Sequence, residues 1–339
     1  MQLKPIDQQV VVVMGASSGI GRETALRFAQ RGAKLIVSAR SMEGLQSLVG
    51  EIHREGGTAL AVAADVTSFD QVKAVADRAV AEYGRLDTWV HLAAVAIYAT
   101  FEQTTPEEFK RVIDINLNGQ AYGAMAALPH LRREGRGALI HVSSIEARRS
   151  FPFHSAYAAA KHGIDGFLEA LRVELMHEGV PISVTNVMPA SINTPLFNKA
   201  RTKLGVKPMP PPPIYQPGIV ADVILYAAEH PTRDLIAGGA GKAFLLNQRI
   251  SPSMMDALLV RLGFAAQKTD EPKPEQAPDN LFGAIPGYNR IEGDFSDQAL
   301  SRSAYNWLEL HPLVGRLAFA GTALGLLARR VIRTGRLAP

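Results

Sequence analysis

A glycine-rich turn at residues 15–21 constrains the fold of this chain more than any other feature. Residues 10–14, just before the turn, are apolar and mostly β-branched, which is typical of a parallel strand buried on both faces. Residues 22–30 after it have a helical pattern. A strand, a glycine turn and a helix in this order predict a cradle for the pyrophosphate of a dinucleotide, because backbone N–H groups can approach where no Cβ intervenes. The residues of this predicted cradle are Gly15, Ser17, Ser18, Gly19, Ile20 and Gly21.

Strands and helices then alternate along most of the chain, with short connections between them. Further strands are predicted at residues 33–38, 58–64, 86–92, 138–143 and 182–187. Helices are predicted at residues 42–55, 69–83, 106–133 and 155–178. This alternation predicts an α/β fold, a Rossmann-type doubly wound parallel sheet with helices on both faces. Such sheets bind ligands at the carboxyl ends of their strands.

A tyrosine and a lysine occur four residues apart in the predicted helix 155–178, at Tyr157 and Lys161. Residues at this spacing lie on one face of a helix, so their side chains can reach a common ligand. A phenol alone is a poor acid or base near neutral pH, and a neighbouring ammonium lowers its pKa by stabilising the phenolate. Ser144 follows the strand 138–143 and can hold a carbonyl or alcohol oxygen against the phenol. The three side chains together predict a proton-transfer site.

The end of the second predicted strand bears on the choice of cofactor. Arg40 stands where the adenosine ribose of a bound dinucleotide would lie, and no acidic residue accompanies it. An arginine pairs with a 2′-phosphate, whereas an acidic side chain accepts a hydrogen bond from a ribose 2′-hydroxyl. The sequence therefore predicts NADP(H) rather than NAD(H). The alternative is that Arg40 is only an exposed neighbour of a helix cap.

Other residues at the predicted strand ends border the same rim. Asp65, which precedes Val66, either reaches an adenine amino group or caps the helix 69–83, and the two roles are compatible. Asn116 begins a weak point of the long helix 106–133, where asparagines and a glycine lower helix stability. The remaining candidates on this rim are Ala93, Ala94, Pro189, Ile192 and Thr194.

Together these motifs closely resemble the short-chain dehydrogenase/reductase family over about residues 6–250. The chemistry that the resemblance implies is hydride transfer between nicotinamide C4 and a carbonyl carbon, coupled to proton transfer on the oxygen. The residues that carry the resemblance are the three glycines of the turn, Asp65, Asn116, Ser144, Tyr157, Lys161 and the stretch 189–194.

The resemblance also implies a role for each matching residue. Tyr157 is expected to be the acid/base, and Lys161 to bind the nicotinamide ribose and lower the tyrosine pKa. Ser144 is expected to orient the substrate oxygen. Asn116 is expected to anchor a water that links Lys161 to solvent, and Thr194 to contact the nicotinamide amide.

The chain departs from the family pattern at three places. Met14 stands where the family has a threonine, residues 91–94 read His-Leu-Ala-Ala in place of Asn-Asn-Ala-Gly, and Ala190 replaces a glycine. Met14 lacks the hydroxyl that ties the glycine turn to its neighbouring strand, and Ala94 adds a Cβ where adenosine packs. These departures concern the affinity for the cofactor and leave the proton-transfer residues intact.

Three segments that follow strand ends are predicted to close a substrate pocket, at residues 95–101, 145–154 and 196–214. Their side chains are mostly apolar, which predicts a lipophilic ketone, aldehyde or alcohol as the substrate. Glu146 and His154 are either contacts for a polar end of the substrate or solvated loop residues. The pocket candidates are Ile97, Ile145, Phe151, Phe153, His154, Leu196 and Phe197.

The composition excludes several other classes of function. The 339 residues contain no cysteine, which rules out disulfides, thiolate catalysis and cysteine-based metal sites. The nine histidines show no metal-binding spacing, so no metal site is predicted. The net charge of +4 is spread along the chain except near the C-terminus, and no nucleic-acid partner is predicted. A short polar N-terminus that runs directly into a strand predicts a cytoplasmic protein.

The chain divides into a predicted catalytic domain at residues 1–250 and a mostly helical C-terminal extension at 251–339. Within the extension, residues 268–280 are rich in Pro, Glu and Lys, which predicts a solvated linker or a surface arm. A terminal apolar helix is predicted at about 313–334, and its uncharged part is too short to span a bilayer. This helix either makes a peripheral membrane contact through its basic end or docks on the domain or a partner subunit.

The leading hypothesis is an NADP(H)-dependent oxidoreductase. One alternative is an NADP-binding regulatory or scaffold protein with little turnover, and another is a membrane-associated reductase that modifies lipids. The family resemblance further implies a homodimer or homotetramer in which the helices near residues 118–133 and 155–177 pair between subunits.

Overall fold

The computed structural model describes residues 1–312 and 314 and is organised around one parallel sheet. The strands in this part of the chain are β1 (Val10–Met14), β2 (Lys34–Ala39), β3 (Thr58–Ala63), β4 (Thr88–His91), β5 (Ile97–Tyr98), β6 (Gly137–Val142), β7 (Ile182–Pro189), β8 (Arg201–Thr202), β9 (Val206–Pro208), β10 (Ile214–Tyr215), β11 (Asp234–Ala237), β12 (Lys268–Pro272) and β13 (Ala299–Leu300). The α-helices are α1 (Gly19–Gln30), α2 (Met42–Arg54), α3 (Phe69–Tyr83), α4 (Pro106–Ile113), α5 (Gly119–Arg133), α6 (Ser155–His177), α7 (Leu196–Lys199), α8 (Pro217–Glu229), α9 (Gly239–Ile250), α10 (Pro252–Leu258) and α11 (Ala304–Leu310).

The main sheet has seven parallel strands in the order β11-β7-β6-β4-β1-β2-β3. This order runs outward in both directions from the pair β1 and β4, whose carboxyl ends therefore flank the point at which doubly wound sheets bind ligands. The predicted α/β fold of the Rossmann type is confirmed. Strand β11 at one edge was not predicted from the sequence patterns, because it is short and its apolar run is brief.

Strand β1 shows how the sequence produces this sheet. Its residues are between 0% and 2% exposed, as the apolar run predicts for a strand covered on both faces. Val11 and Val13 pack in the apolar layer that includes residues of α1, α2 and α8. Val12 and Met14 pack in the opposite layer, with residues of α3, α5 and α6. Alternate side chains of one strand thus join the two layers that cover the sheet.

The long helix predicted at residues 106–133 is interrupted by a π-helical turn, Asp114–Asn118. Asn116 is fully buried in this turn. Its Oδ1 accepts a hydrogen bond from the backbone N–H of Val95 at 2.9 Å, and its Nδ2 donates to the Val95 carbonyl at 2.8 Å. The local weakness in the helix therefore places an amide that fixes the loop after β4.

The prediction that Asp65 caps helix α3 is wrong. The cap is Ser68, whose hydroxyl accepts a hydrogen bond from the backbone N–H of Gln71. A capping side chain has to come from the residue next to the first helical one, and Asp65 lies too far upstream. Its carboxylate instead accepts hydrogen bonds from the N–H and the hydroxyl of Thr67 and from the guanidinium of Arg111.

The C-terminal extension packs back against the ligand-binding end of the sheet. Strand β12, within the segment predicted as a linker or surface arm, pairs antiparallel with β9. The chain continues to Leu281, which is fully buried, and to Phe295, which is 7% exposed. Strand β13 then pairs with β10, and α11 contacts α8 and α9.

The terminal helix predicted at about 313–334 lies outside the described residues, apart from position 314. Its membrane contact or docking therefore stays a prediction. In the part of the chain that the structure describes, no helix combines the length and the apolar character needed to cross a bilayer.

Candidate active site

A cleft opens at the carboxyl ends of the central strands, next to the glycine turn that follows β1. The structure brings together along it every residue predicted to bind the cofactor: Gly15, Ser17, Ser18, Gly19, Ile20, Gly21, Arg40, Asp65, Val66, Ala93, Ala94, Tyr157, Lys161, Pro189, Ile192 and Thr194. Of the four catalytic candidates, Ser144, Tyr157 and Lys161 line the cleft, and Asn116 lies behind the loop after β4. Because both ends of the Asn116 amide bond to Val95, the side chain expected to anchor a water is already engaged.

Strand β6 and helix α6 place the three cleft-lining catalytic candidates against one another. Lys161 Nζ lies 5.3 Å from the centroid of the Tyr157 ring, one helical turn away. The same Nζ donates a hydrogen bond to the carbonyl of Val142, the last residue of β6, at 3.0 Å. Ser144 follows β6, and its hydroxyl accepts a hydrogen bond from the N–H of Glu146 at 3.1 Å. The strand end that carries the serine is thus tied to the helix that carries the tyrosine and the lysine.

Burial governs the ionisation of these groups. It raises the pKa of the Tyr157 phenol well above the usual value. The Glu146 carboxylate adds to this rise, and a hydrogen bond with Ser144 opposes it. Burial also lowers the pKa of the Lys161 ammonium to about 7, with Glu146 opposing. The protein groups alone therefore do not lower the tyrosine pKa as expected, because the burial that raises it also weakens the charge of the lysine. Tyr157 therefore carries its proton, which is the form that a general acid requires.

Glu146 and His154 form a buried pair beside the tyrosine. His154 Nδ1 lies 2.8 Å from Glu146 Oε1, and Glu146 Oε2 accepts a hydrogen bond from the N–H of Phe151 at 3.3 Å. The His154 ring packs edge-on against Tyr98, with centroids 4.3 Å apart, and its centroid is 5.6 Å from that of Tyr157. The side chains of His154 and Glu146 are only 8% and 9% exposed, so the alternative that they are solvated loop residues is wrong.

The apolar wall near the tyrosine contains most of the predicted pocket residues. Ile97 and Phe153 are not among those on the wall. Ile97 is buried in a core layer, and the neighbouring Tyr98 lines the cleft instead, because consecutive side chains of an extended segment point in opposite directions. Phe153 has a left-handed backbone, with φ 70°, and its ring packs against Phe264 at a centroid distance of 5.0 Å. The predicted residues on the wall are Ile145, Phe151, His154, Leu196 and Phe197.

A cationic corner, formed by Arg40 and Lys199, lies at the far side of the glycine turn. Lys199 Nζ donates a hydrogen bond to the Ser18 hydroxyl at 2.7 Å, and burial together with the nearby Arg40 lowers the Lys199 pKa to about 8. Arg40 Nη2 donates to the Asn280 carbonyl at 2.7 Å, while Nη1 is buried and has no hydrogen-bond partner within residues 1–312. Arg40 is half-buried and its Nη1 is fully buried, so the alternative that it is merely an exposed neighbour of the Ser41 cap is wrong. Two neighbouring cations and a buried N–H without an acceptor form a site that an anionic group would complete.

The sequence patterns missed Lys199 as a contact of the glycine turn, because it lies in the segment 196–214 predicted to close the substrate pocket and meets Ser18 only through the fold. They also missed the part of the C-terminal extension that lines the cleft. No local signal identifies that part, since the chain around it has no regular secondary structure. Its lining residues are Gln267, Asn280, Ala284, Ile285, Tyr288 and Asn289.

The glycine turn itself fits an anionic dinucleotide. A Cβ on Gly15 would lie 2.6 Å from the backbone nitrogen of Ala93, and the φ of Gly15 is 92°, so only glycine allows this close approach. A Cβ on Gly21 would collide with the Gly15 carbonyl. The first N–H groups of a helix have no acceptor within that helix. At the start of α1 the N–H of Gly19 donates to the carbonyl of Arg290, and the next two residues, Ile20 and Gly21, line the cleft. Together with the cationic corner, these donors form a site for phosphate groups.

Comparison with known proteins agrees with this geometry. A family model described as short chain dehydrogenase matches residues 9–205. The chain belongs to the short-chain dehydrogenase/reductase family. This short-chain dehydrogenase is accordingly an oxidoreductase that acts on alcohol or carbonyl groups, and its family uses the nicotinamide dinucleotides NAD(H) or NADP(H).

Several curated proteins are similar to this short-chain dehydrogenase. The uncharacterized oxidoreductase YxnA of Bacillus subtilis (strain 168) is 36% identical over 332 residues, which are 97% of this chain and 93% of YxnA. Cyclohexanol dehydrogenase of Acinetobacter sp. (strain SE19) is 34% identical over 222 residues, which are 65% of this chain and 87% of the Acinetobacter protein. The 3beta-hydroxysteroid dehydrogenase 1 of Eggerthella lenta is 34% identical over 190 residues, 56% of this chain and 72% of its own. The similarity to YxnA therefore includes the C-terminal extension.

Among solved structures, an alcohol dehydrogenase from the archaeon Thermococcus sibiricus, complexed with 5-hydroxy-NADP, has a similar fold. The TM-score is 0.59 at 23% sequence identity. The match covers 67% of this short-chain dehydrogenase and 95% of the archaeal chain. At this level of identity the likeness concerns the fold of the dinucleotide-binding sheet.

Proposed function

We propose that this short-chain dehydrogenase is an NADP(H)-dependent oxidoreductase that interconverts a carbonyl and an alcohol on a lipophilic small molecule. The observation that carries the proposal is one continuous cleft with two ends. One end holds Ser144, Tyr157 and Lys161, and the other holds the glycine turn and the cationic corner. A hydride carrier with a phosphorylated adenosine would reach both.

Tyr157 is the proposed acid/base. When bound, a reduced nicotinamide supplies the hydride that converts a carbonyl carbon into that of an alcohol. Tyr157 donates its phenolic proton to the carbonyl oxygen, so that a hydride and a proton add across the C=O bond and no alkoxide persists. Ser144 donates a hydrogen bond to the same oxygen and holds it against the phenol. In the oxidative direction the same atoms move in reverse, and Tyr157 receives the proton.

Lys161 and Asn116 support this site from behind. The Lys161 side chain is held by the Val142 carbonyl, and from this position it is proposed to bind the ribose hydroxyls of the cofactor. In its charged form it is proposed to oppose the rise in the Tyr157 pKa that burial causes. Asn116 is proposed to act by fixing the loop after β4 through its two hydrogen bonds to Val95. The hydrogen bonds of both side chains are made to backbone groups of this chain.

The cationic corner favours NADP(H) over NAD(H). Arg40 Nη1 is a buried donor that finds no acceptor among residues 1–312, and Lys199 is partly buried beside it. Charge-assisted hydrogen bonds to the 2′-phosphate of adenosine would satisfy both cations. A plain ribose hydroxyl carries no charge and would leave the repulsion between them uncompensated. A preference for NADP(H) in turn favours carbonyl reduction as the working direction.

The substrate end of the cleft supports a lipophilic ketone, aldehyde or alcohol. Tyr98, Phe151, Leu196 and Phe197 line it, and their side chains are predominantly apolar. The names of two relatives, a cyclohexanol dehydrogenase and a 3beta-hydroxysteroid dehydrogenase, suggest alicyclic alcohols and ketones as the first compounds to examine.

The test is cofactor oxidation by the purified protein with a panel of alicyclic ketones, using NADPH and NADH in parallel. NADPH consumption is expected with at least one ketone, and Tyr157→Phe is expected to lower kcat by about 100-fold or more while NADPH binding changes little. Binding is measured separately by NADPH fluorescence. Equal turnover by wild type and Tyr157→Phe would refute the acid/base assignment, and a wild type that prefers NADH would refute the cofactor assignment.

We also propose that α5 and α6 pair between subunits of a homodimer or homotetramer. Both helices expose large apolar side chains that a monomer leaves in water. Met125 on α5 is 56% exposed, and Val173 and Met176 on α6 are 67% and 79% exposed. Apolar surface of this kind is typical of helices that pack against a partner.

A further inference from the structure

The segment of residues 284–293, here named the strap, runs along the cleft from α2 past the glycine turn to Asn193 and Thr194, which follow β7. On the adenosine side, Nδ2 of Asn289 donates a hydrogen bond to Glu43 of α2. At the glycine turn, the N–H of Gly19 donates to the carbonyl of Arg290 at 2.9 Å. The strap therefore contacts the start of α2 and the glycine turn, both of which border the cleft at the carboxyl ends of the strands.

Both ends of the strap are held firmly. Before it, the carbonyl of Asn280 accepts a hydrogen bond from Arg40 at 2.7 Å, and that of Leu281 accepts one from Arg111 at 3.1 Å. After it, the N–H of Phe295 donates to Asn193 Oδ1 at 3.0 Å. Leu281 is fully buried, so it anchors the segment in the core. The anchors fix where the intervening chain can lie.

The strap lines the cleft, and at one point it closes on the glycine turn, where the Arg290 carbonyl accepts the hydrogen bond of the Gly19 N–H. Ala284, Ile285, Tyr288 and Asn289 line the same open space as the glycine turn and the cationic corner. A ligand lying along the glycine turn would thus have the sheet on one side and the strap on the other.

We propose that the strap is a third wall of the cofactor site, which encloses the bound NADP(H) and limits the rate at which it leaves. This inference rests on the proposed NADP(H) function and extends it to a part of the chain outside residues 9–205. A site closed on two sides must open before the ligand can dissociate, so the dissociation rate depends on the contacts that hold the strap. Tyr288, half-buried on the strap, supplies an aromatic face of the kind on which a nucleobase stacks.

Gly293, the last residue of the strap, provides a test. A Cβ on Gly293 would lie 2.6 Å from the Thr194 carbonyl oxygen and 2.7 Å from Asn193 Oδ1, so Gly293→Ala has to displace the strap. Gly283 lies between the first anchor and the strap, and a Cβ there has nothing within 4 Å. Neither glycine has a φ in the left-handed region. Gly283→Ala is therefore the matched control.

The experiment measures NADPH dissociation from the full chain by stopped-flow fluorescence, with excess NADP+ as the displacing ligand. Gly293→Ala is expected to raise the dissociation rate by about tenfold, the equivalent of one or two lost hydrogen bonds, and Gly283→Ala to match the wild type. Tyr288→Ala, which removes no atom of the anchoring hydrogen bonds, is expected to raise it as well. This second variant covers the case in which Gly293→Ala does not fold. Adenosine 2′,5′-bisphosphate affinity should fall in both variants, because the strap faces the adenosine end.

Two results would overturn the inference. Wild-type dissociation rates in both Gly293→Ala and Tyr288→Ala would show that the strap does not retain the cofactor, while leaving the proposed reductase unaffected. Tighter NADPH binding by Gly293→Ala would show that the strap excludes the cofactor. A wild type that fails to bind NADPH at all would instead refute the proposed function, together with the strap.

Discussion

The imidazole Nδ1 of His154 lies 2.8 Å from Oε1 of Glu146, and both side chains are buried in the wall of the cleft next to Tyr157. The carboxylate also accepts a hydrogen bond from the N–H of Phe151. A buried carboxylate with two donors is a structural unit whose loss leaves those donors without an acceptor.

Glu146→Ala is therefore expected to lower the free energy of unfolding by about 3 kcal/mol, because it leaves the imidazole and the Phe151 N–H buried and unsatisfied. Glu146→Gln retains an acceptor oxygen of similar shape and is expected to lose about 1 kcal/mol. Urea denaturation of the cofactor-free protein measures both. Equal losses for the two substitutions would contradict the role of the acceptor.

Replacing Lys199 is expected to change the choice between cofactors. Lys199→Ala should raise the KM for NADPH by about tenfold to one hundredfold, because a charge-assisted contact to the 2′-phosphate is lost. The KM for NADH should stay the same, and this provides the control within one variant. Steady-state kinetics with a fixed ketone checks the prediction, and a parallel rise for both cofactors would contradict it.

The pH dependence of cofactor binding follows from the same lysine. The Lys199 pKa is lowered to about 8, so the side chain carries its charge below that pH and loses it as the pH rises through it. NADPH affinity is expected to fall as the pH increases through about 8 in the wild type, and this fall should be absent for NADH. Fluorescence titrations across this range measure the effect. A decline of the same size for NADPH in Lys199→Ala would assign it to another group.

Lys161 is expected to make the stability of the cofactor-free protein depend on pH. Its pKa is about 7 in the folded protein and 10.5 in its usual state, so between these values the unfolded chain binds a proton that the folded chain does not. The free energy of unfolding contributed by this group therefore rises with pH across that window, and the penalty is fully present below it.

Lys161→Met removes this penalty. The variant is expected to have a higher Tm than the wild type near about pH 6, and the difference should shrink towards about pH 10. Titrating groups that do not interact with Lys161 are common to both proteins and cancel in the difference; the groups that do interact with it are Glu146, His91 and His141. Lys110→Met, at an exposed lysine of α4, is the control and should show no such trend. A difference in Tm that does not vary with pH would contradict the prediction.

Helix α6 offers a test of the proposed oligomer. Val173→Asp places a charge on an apolar side chain that is 67% exposed, and the subunits are expected to dissociate if α6 packs on its partner. Met254→Asp, on α10 and 51% exposed, is the matched control and should leave the assembly unchanged. Light scattering after size-exclusion chromatography measures the mass. A wild type and a Val173→Asp variant of the same mass would exclude α6 from the interface.

Most of the fold could be predicted because its signals are local. The apolar run of β1 and the alternation of strand and helix patterns depend only on neighbouring residues, and they led to the parallel sheet. The spacing of Tyr157 and Lys161 is likewise a property of one helix turn. The structure brings Ser144 to these two side chains because strand β6 ends beside α6.

The predictions that failed concern side chains for which the sequence allows two placements. Asp65 resembles a helix cap in sequence, but the hydroxyl of Ser68 is closer to the first turn of α3. Ile97 and Tyr98 are neighbours of similar apolar character, and only their direction in the folded chain separates the core residue from the cleft residue. Glu146 and His154 look like loop residues until the fold buries them together.

The sequence by itself determined the sheet, the glycine turn and the chemical groups of the proton-transfer site, because each follows from periodicity or spacing over a few residues. Only the tertiary structure placed Lys199 on Ser18, which is 181 positions away, and Asn280 on Arg40, which is 240 positions away. Contacts of this kind leave no periodic pattern in the sequence, because they depend on how segments that are distant in sequence pack against the folded sheet. The cationic corner and the strap are therefore properties of the folded chain, and they are what separates this cleft from a bare Rossmann-type site.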